Sequence, residues 1–269
     1  MQTFSSLVDR RVVVTGGSRG LGRVMAIELL RAGARVAIVS LGPSAPLNET
    51  LRQIKEIGKL SHVMCSYGDL SQADDCERVV GEIESQLGRI DVLINNAAIP
   101  MQGQGKVFWK IPPEEWLRMS HINCDSVFLM SRLATPRMVD LGFGKIINVS
   151  TGYGTMVRDT FSPYGPSKAF VEASTRIWAS ELKGTGVTVN ALLPGGAVDT
   201  IADVTGVASP TTGALSASIM VEPTLWLASD ESNGHTGERY VASRWDISLA
   251  LPERAQRARE DSAGIPSIM

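Results

Sequence analysis

Residues 11–40 read RVVVTGGSRGLGRVMAIELLRAGARVAIVS, and the order of patterns within them decides the fold. Arg11, Val12, Val13, Val14 and Thr15 form a short β-branched run, as expected for a strand covered on both faces. A turn carrying Gly16, Gly17, Gly20 and Gly22 follows. Beyond it Val24, Ile27, Leu29 and Leu30 recur at helical spacing, Gly33 ends the helix, and residues 34–39 supply a second apolar strand. Strand, glycine turn, helix and strand make a βαβ unit.

The same alternation continues outward. Helices are predicted over 48–57, 71–87, 113–141 and 163–182, and strands over 62–65, 91–95, 145–150 and 187–192, with a weaker strand over 238–242. About seven strands separated by helices predict an α/β protein with one doubly wound, Rossmann-type parallel sheet and helices on both faces. Residues 1–269 are expected to form a single domain, with no repeat or linker. Residues 201–218, rich in Ala, Ser, Thr and Gly, suit a mobile lid or a plain surface helix. Residues 252–269 are charged, carry few large apolar groups, and read as a surface tail.

Composition narrows the function. Lys and Arg number 26 against 28 acidic residues, so no net field points to nucleic acid or to an anionic membrane, and the expected partner is a small molecule. Cys65, Cys76 and Cys124 show no C-x-x-C spacing, which suits reduced thiols in a cytoplasmic protein and neither a disulfide framework nor a metal site. No stretch reaches the roughly 20 apolar residues of a membrane span and residues 1–10 lack a signal core, so a soluble, unprocessed chain is expected.

Two constellations carry chemistry. In T-G-x-x-x-G-x-G the missing side chains let a pyrophosphate approach the backbone of Gly16, Ser18, Arg19, Gly20, Leu21 and Gly22, where a helix N-terminus offers N–H groups and a positive dipole end. Farther on, Tyr164 and Lys168 lie four residues apart on a predicted helix and share a face. A phenol with a pKa of about 10 is a poor base at neutral pH; a neighbouring ammonium is expected to lower it and make Tyr164 a usable acid–base group.

Taken with Asp69, N-N-A-A at 95–98, Asn123, Y-G-P-S-K at 164–168 and the P-G pair at 194–195, the chain resembles the short-chain dehydrogenase/reductase family, in its short single-domain branch. The resemblance implies that Asp69 meets the adenine edge with Leu70 beside it, and that Asn95 and Ala97 lie along the adenosine side. Read from the residues alone, Asp69 could instead cap the turn before the helix, where Ser71 and Asp74 look like a capping box, and Asn95 could tie strand ends together. Ala98 stands where the family usually has Gly. Ser40 ends the second strand where a carboxylate would repel a 2'-phosphate, and Arg19 resembles the basic residue that NADP-preferring members place there; Leu41 denies the usual second Arg. NADP(H) is therefore preferred over NAD(H).

By the same resemblance Tyr164 exchanges a proton with the substrate oxygen while Lys168 binds the nicotinamide ribose. The substrate-orienting hydroxyl falls thirteen residues before the tyrosine, on Thr151 where the family has serine, with Ser150 as its rival. Asn123 matches an asparagine that holds a water linking Lys168 to solvent. Pro194 and Gly195 match the turn beside the nicotinamide ring, and Val198 and Thr200, after a one-residue insertion, are expected at the carboxamide.

The implied activity is an oxidoreductase interconverting a ketone and a secondary alcohol, as an NADPH-linked reductase acting on a carbonyl substrate shaped by Met101, Phe108, Trp109, Tyr153 and residues 201–218. A nucleotide-sensing protein that kept the cleft and lost turnover is the second reading; the nucleotide-sugar epimerase branch needs a longer chain. A homo-oligomer, dimer or tetramer, is implied through the two long helices and the last strand.

Overall fold

The structure is a computed structural model that describes residues 3–100, 105–199 and 213–260. Its strands in chain order are β1 (Arg11–Thr15), β2 (Arg35–Ser40), β3 (Val63–Tyr67), β4 (Val92–Asn95), β5 (Gly144–Val149), β6 (Val187–Leu193), β7 (Val198–Asp199), β8 (Leu215–Ser216) and β9 (Arg239–Val241). Seven of them form one parallel sheet in the order β3-β2-β1-β4-β5-β6-β9. The chain starts in the middle at β1, runs outward to β3, and returns to β4 on the other side. The order therefore reverses between β1 and β4, and a crevice opens beyond their carboxyl ends.

Side-chain alternation explains the layers. Val12 and Val14 point to one face, into a core shared with α1 (Gly20–Arg31) and α8 (Val221–Ala228), while Val13 points to the other, with α3 (Ala73–Leu87) and α5 (Ser126–Asp140). A buried valine contributes about 1.5–3 kcal/mol by leaving water, so a strand apolar on both faces is stable only between two helical layers. Of the remaining helices, α2 (Ala45–Glu56), α4 (Pro113–Ser120), α6 (Tyr153–Met156), α7 (Tyr164–Glu181) and α9 (Leu251–Ala258) complete the chain.

Three expectations are corrected. The helix predicted over 113–141 is interrupted by a π turn, His121–Asp125, whose backbone closes from Ser126 N to His121 O. The capping box at Ser71 and Asp74 does not form: Gln72 is the cap and its side chain bonds nothing there. The tail predicted from residue 252 is α9 in its first turns, with Ala255 and Ala258 buried against the core of Trp226 and Tyr240. Small alanines let a helix approach closely without large apolar groups, which is why composition concealed the docking. Beyond α9, Arg259 bridges antiparallel to Tyr240 and covers part of the edge strand.

Residues 261–269, Met101, Thr200 and 201–212 of the predicted lid lie outside the described residues. The end of that lid segment is anchored, because β8 pairs with β7 and both Ala217 and Met220 are buried. Among the described residues no helix is long and apolar enough to cross a membrane. No group of three or more His, Cys, Asp or Glu among them is placed to hold a metal.

Candidate functional site

The glycine turn sits at the carboxyl end of β1. Gly16 (φ +65°) and Gly20 (φ +54°) adopt left-handed conformations that side chains disfavour. A β-carbon on Gly22 would run into the Gly16 carbonyl and lie 2.5 Å from Asn96 Nδ2, and one on Gly16 would lie 2.9 Å from the Ala97 Cα. The loops after β1 and β4 are thus in contact across the crevice. Arg19 caps α1 in an extended conformation, and its side chain makes no cap bond to that helix's first turn. Its leading N–H groups are left to a ligand.

Asn96 and Arg23, not singled out from the sequence, hold this turn. Asn96 Nδ2 donates to the Thr15 and Gly16 carbonyls at 2.9 and 3.2 Å. The Thr15 hydroxyl accepts from the Asn96 and Ala97 N–H groups, both at 3.0 Å. Arg23, buried, donates through Nε to the Thr50 hydroxyl at 2.8 Å and through Nη2 to the Ser18 and Pro46 carbonyls at 3.3 and 3.0 Å. The doubled asparagine was a signal for the first of these; nothing in the sequence distinguishes a buried arginine on a helix from an exposed one.

The adenosine side is mixed. Asn95 Nδ2 donates to Asn148 Oδ1 at 2.8 Å and Ser131 Oγ at 3.0 Å, and Asn148 Nδ2 to Thr175 Oγ1 at 2.9 Å, a buried polar ladder joining β4, β5, α5 and α7. Its amide hydrogens therefore serve the strand-tying role. Asp69 Oδ1 accepts from Ser71 N at 3.0 Å, fixing the turn before α3, and the Leu70 side chain is buried in the core. Ser40 closes β2 with its hydroxyl on the Gly42 carbonyl at 3.2 Å, and Arg19, in the glycine turn, is exposed.

At the other end Tyr164 opens α7 and Lys168 follows one turn later, its ammonium 5.9 Å from the centre of the phenol ring. Lys168 is buried and donates to the Val149 carbonyl at 2.8 Å. The Thr151 side chain lies near the phenol and acts to lower its pKa. Ser150 continues the ladder, its N–H on the Leu192 carbonyl at 2.9 Å, and its hydroxyl is buried with no partner. Of the two rival hydroxyls, that of Thr151 is the one that bears on the Tyr164 phenol.

The acidity expected of the phenol is corrected. Burial pushes the Tyr164 phenol above its ordinary value, and the neighbouring Thr151 hydroxyl only partly offsets this. Burial likewise brings the Lys168 ammonium down to about 8, with Glu172 among the charges opposing the fall. A neutral phenol beside a cation that persists at neutral pH is the resting state.

Asn123 lies buried in the π turn. Its Nδ2 donates to the Ile99 carbonyl and to Ser167 Oγ, both at 3.1 Å, and its Oδ1 accepts from Ile99 N at 2.8 Å. Both amide hydrogens are used, so the side chain staples the loop after β4 to α7. Such turns recur where a helix is bent to serve a site.

A parallel doubly wound sheet with a glycine turn at its switch point and a Tyr–Lys pair across the crevice is matched by a family model for short chain dehydrogenases over residues 10–206. The chain belongs to that family. It is 34% identical over 183 residues to nodulation protein G of Azospirillum brasilense, covering 68% of this chain and 72% of that one. It is 32% identical over 196 residues to a 3-oxoacyl-(acyl-carrier-protein) reductase of Staphylococcus aureus, covering 73% and 78%. A solved short-chain type dehydrogenase/reductase from Mycobacterium marinum superimposes with a TM-score of 0.77 at 28% identity, over 88% of this chain and 95% of that one. As a short-chain dehydrogenase/reductase, the protein is an NAD(P)-dependent oxidoreductase.

Seen as a member of this family, the turn after β6 departs from expectation. Gly195 (φ +89°) has the space beside it filled, since a β-carbon there would strike Ser243 and lie 2.6 Å from Val241 Cγ1. The glycine is required by β9 packing as well as by any ring lying on it. Pro194 accepts from Ser243 N at 3.0 Å, and Val198 is half-buried in β7. Around the mouth, the loop at Gly105 packs so tightly on Thr160 that any side chain there would clash. That contact joins the exposed Phe108 and Trp109 to the segment carrying the exposed Tyr153.

Proposed function

We propose that this short-chain dehydrogenase/reductase is an NADPH-linked carbonyl reductase in which Tyr164 delivers the proton. The observation that carries the reading is the convergence of Tyr164, Thr151 and Lys168 at the carboxyl end of β5, across the crevice from an uncapped helix N-terminus.

The residues present fit a dinucleotide. The open first turn of α1, with Ser18, Arg19, Gly20, Leu21 and Gly22, would hold the pyrophosphate; Asp69, Leu70 and Ala97 would border the adenosine, and Lys168, Pro194, Gly195 and Val198 the nicotinamide end. Bound there, the cofactor supplies the hydride.

Thr151 donates to the substrate oxygen and orients it. As negative charge develops on that oxygen, Tyr164, neutral at rest, gives up its proton. The phenolate left behind is stabilised by the Lys168 ammonium, a preorganised charge in a water-poor site. The phenol is in its protonated, donating form at neutral pH, the form that reduction uses. Asn123 contributes by fixing α7 against the loop after β4. The similar Staphylococcus protein is named a reductase of a 3-oxoacyl group, which agrees with that direction. Phe108, Trp109 and Tyr153 at the mouth suit a substrate with an apolar body around its carbonyl.

Ser40 and the exposed Arg19 favour NADPH, the serine offering no repulsion and the arginine a donor fork for the 2'-phosphate. The test is kcat/KM over a panel of ketones with NADPH and NADH, for the native protein and for Arg19→Ala. Preference for NADPH is expected, with the ratio falling about tenfold in the variant, the worth of one charge-assisted pair. A ratio that does not move removes Arg19 from the phosphate site, and a panel without turnover overturns the reductase reading.

A further inference from the structure

Arg239 begins the edge strand β9, and its side chain is only 12% exposed. The guanidinium meets acceptors from three separate parts of the chain. Nε donates to Glu172 Oε1 at 2.9 Å, Nη2 to the Thr151 carbonyl at 2.8 Å, and Nη1 pairs with Glu260. Glu260 is itself fixed, its N–H on the Arg239 carbonyl at 2.8 Å and its other carboxylate oxygen on Arg244 at 2.8 Å.

Two of these acceptors are one step from the reacting groups. Thr151 carries the hydroxyl that acts to lower the Tyr164 pKa, and Glu172 lies one helical turn beyond Lys168 on α7. Thr151 also lies past the end of β5, where no strand neighbour holds its carbonyl; Arg239 does. A planar fork can reach three acceptors in fixed directions, and an ammonium on a flexible stem cannot.

We propose that Arg239 is a positioning residue for the reaction: its guanidinium fixes the Thr151 backbone and so keeps the Thr151 hydroxyl on the side of the Tyr164 phenol, and Glu260 steadies the guanidinium in turn. The proposal rests on the roles given above to Thr151 and Tyr164. Because its partners are Glu172, the Thr151 carbonyl and Glu260, Arg239 is expected to act on kcat and to leave cofactor affinity alone.

The experiment compares Arg239→Lys, which keeps the charge and loses the fork, in the native and Thr151→Val backgrounds. With NADPH and the best ketone of the panel, kcat is expected to fall about tenfold in the native background and less than about twofold in Thr151→Val, with the Kd for NADPH within about twofold throughout. Equal losses in both backgrounds would overturn the proposal, since a general loss of structure ignores the Thr151 hydroxyl. A second readout needs no turnover: the Tyr164 phenol is titrated by NMR on ring-labelled tyrosine, assigned with Tyr164→Phe. Arg239→Lys is expected to move that titration upward in the native background and not in Thr151→Val. A protein that reduces no ketone yet shows this dependence keeps the positioning role and loses the reaction; additive titrations overturn the role whatever the activity. If Arg239→Lys does not fold, Glu260→Gln carries the same comparison with a loss of about threefold in the native background, and equal losses in both again overturn it.

Discussion

The two ends of the crevice are built differently. At the cofactor end the shape is main chain: left-handed glycines, an uncapped helix start, and side chains such as Asn96, Thr15 and Arg23 that bond to carbonyls and N–H groups of the turn. At the catalytic end the shape is side chain: Tyr164, Thr151 and Lys168 meet because Asn123, Ser167 and Arg239 tie together segments distant in sequence. A main-chain site depends on backbone freedom, which a few residue types supply wherever they occur. A side-chain site depends on which groups the fold brings within reach.

This contrast is breakable, and the sharpest blow falls on the catalytic end. Tyr164→Phe is expected to lower kcat by about 10³-fold, the scale of a lost general acid, while the Kd for NADPH stays within about twofold; comparable losses in both quantities would show that the two ends are not separable. Next, Thr151→Val is expected to cost about 10²-fold in kcat and Ser150→Ala less than about threefold, because the first hydroxyl bears on the phenol and the second is buried. The reverse ranking would give the role to Ser150.

The cofactor end should answer in the opposite currency. Gly22→Ala forces a methyl into the Gly16 carbonyl and the Asn96 amide, so cofactor Kd is expected to weaken by about tenfold or more, with a stability loss of about 1–3 kcal/mol by denaturant melts. Activity measured at saturating cofactor should recover most of its native value; a persistent kcat defect would join the two ends after all.

The smallest effect is a slope. Lys168 is held down to about 8 by burial, so its ammonium is intact below that pH and lost above it. Reduction, which needs the cation beside the departing proton, is expected to decline in kcat/KM as pH rises through about 8, and Lys168→Arg, which keeps its charge to far higher pH, is expected to flatten that limb if any activity survives. A native profile flat to about pH 10 would remove the ammonium from the proton transfer.

Much of this was legible in the residues. β-branched runs alternating with helical periods specify a parallel sheet with two helical faces, because no other arrangement covers strands apolar on both sides. Glycines 16, 20 and 22 marked the turn, since only residues without a β-carbon satisfy its geometry, and the four-residue step from Tyr164 to Lys168 placed both on one helix face. Those are local or periodic constraints, and they survive whatever the tertiary structure does.

What the tertiary structure decided is every property that depends on a neighbour remote in sequence. The phenol was expected to be acidified by its ammonium; burial, contributed by segments far from residue 164, prevailed and set it the other way. Asn95 became a strand tie and Asn96 the turn's brace, though the two are adjacent and identical in kind. Residues 251–258 docked on alanines where composition pointed to a tail, and Arg239 found Thr151 across 88 positions. Sequence spacing encodes backbone shape and face; dielectric, hydrogen-bond pairing and close packing arise only once the chain has brought its distant parts together.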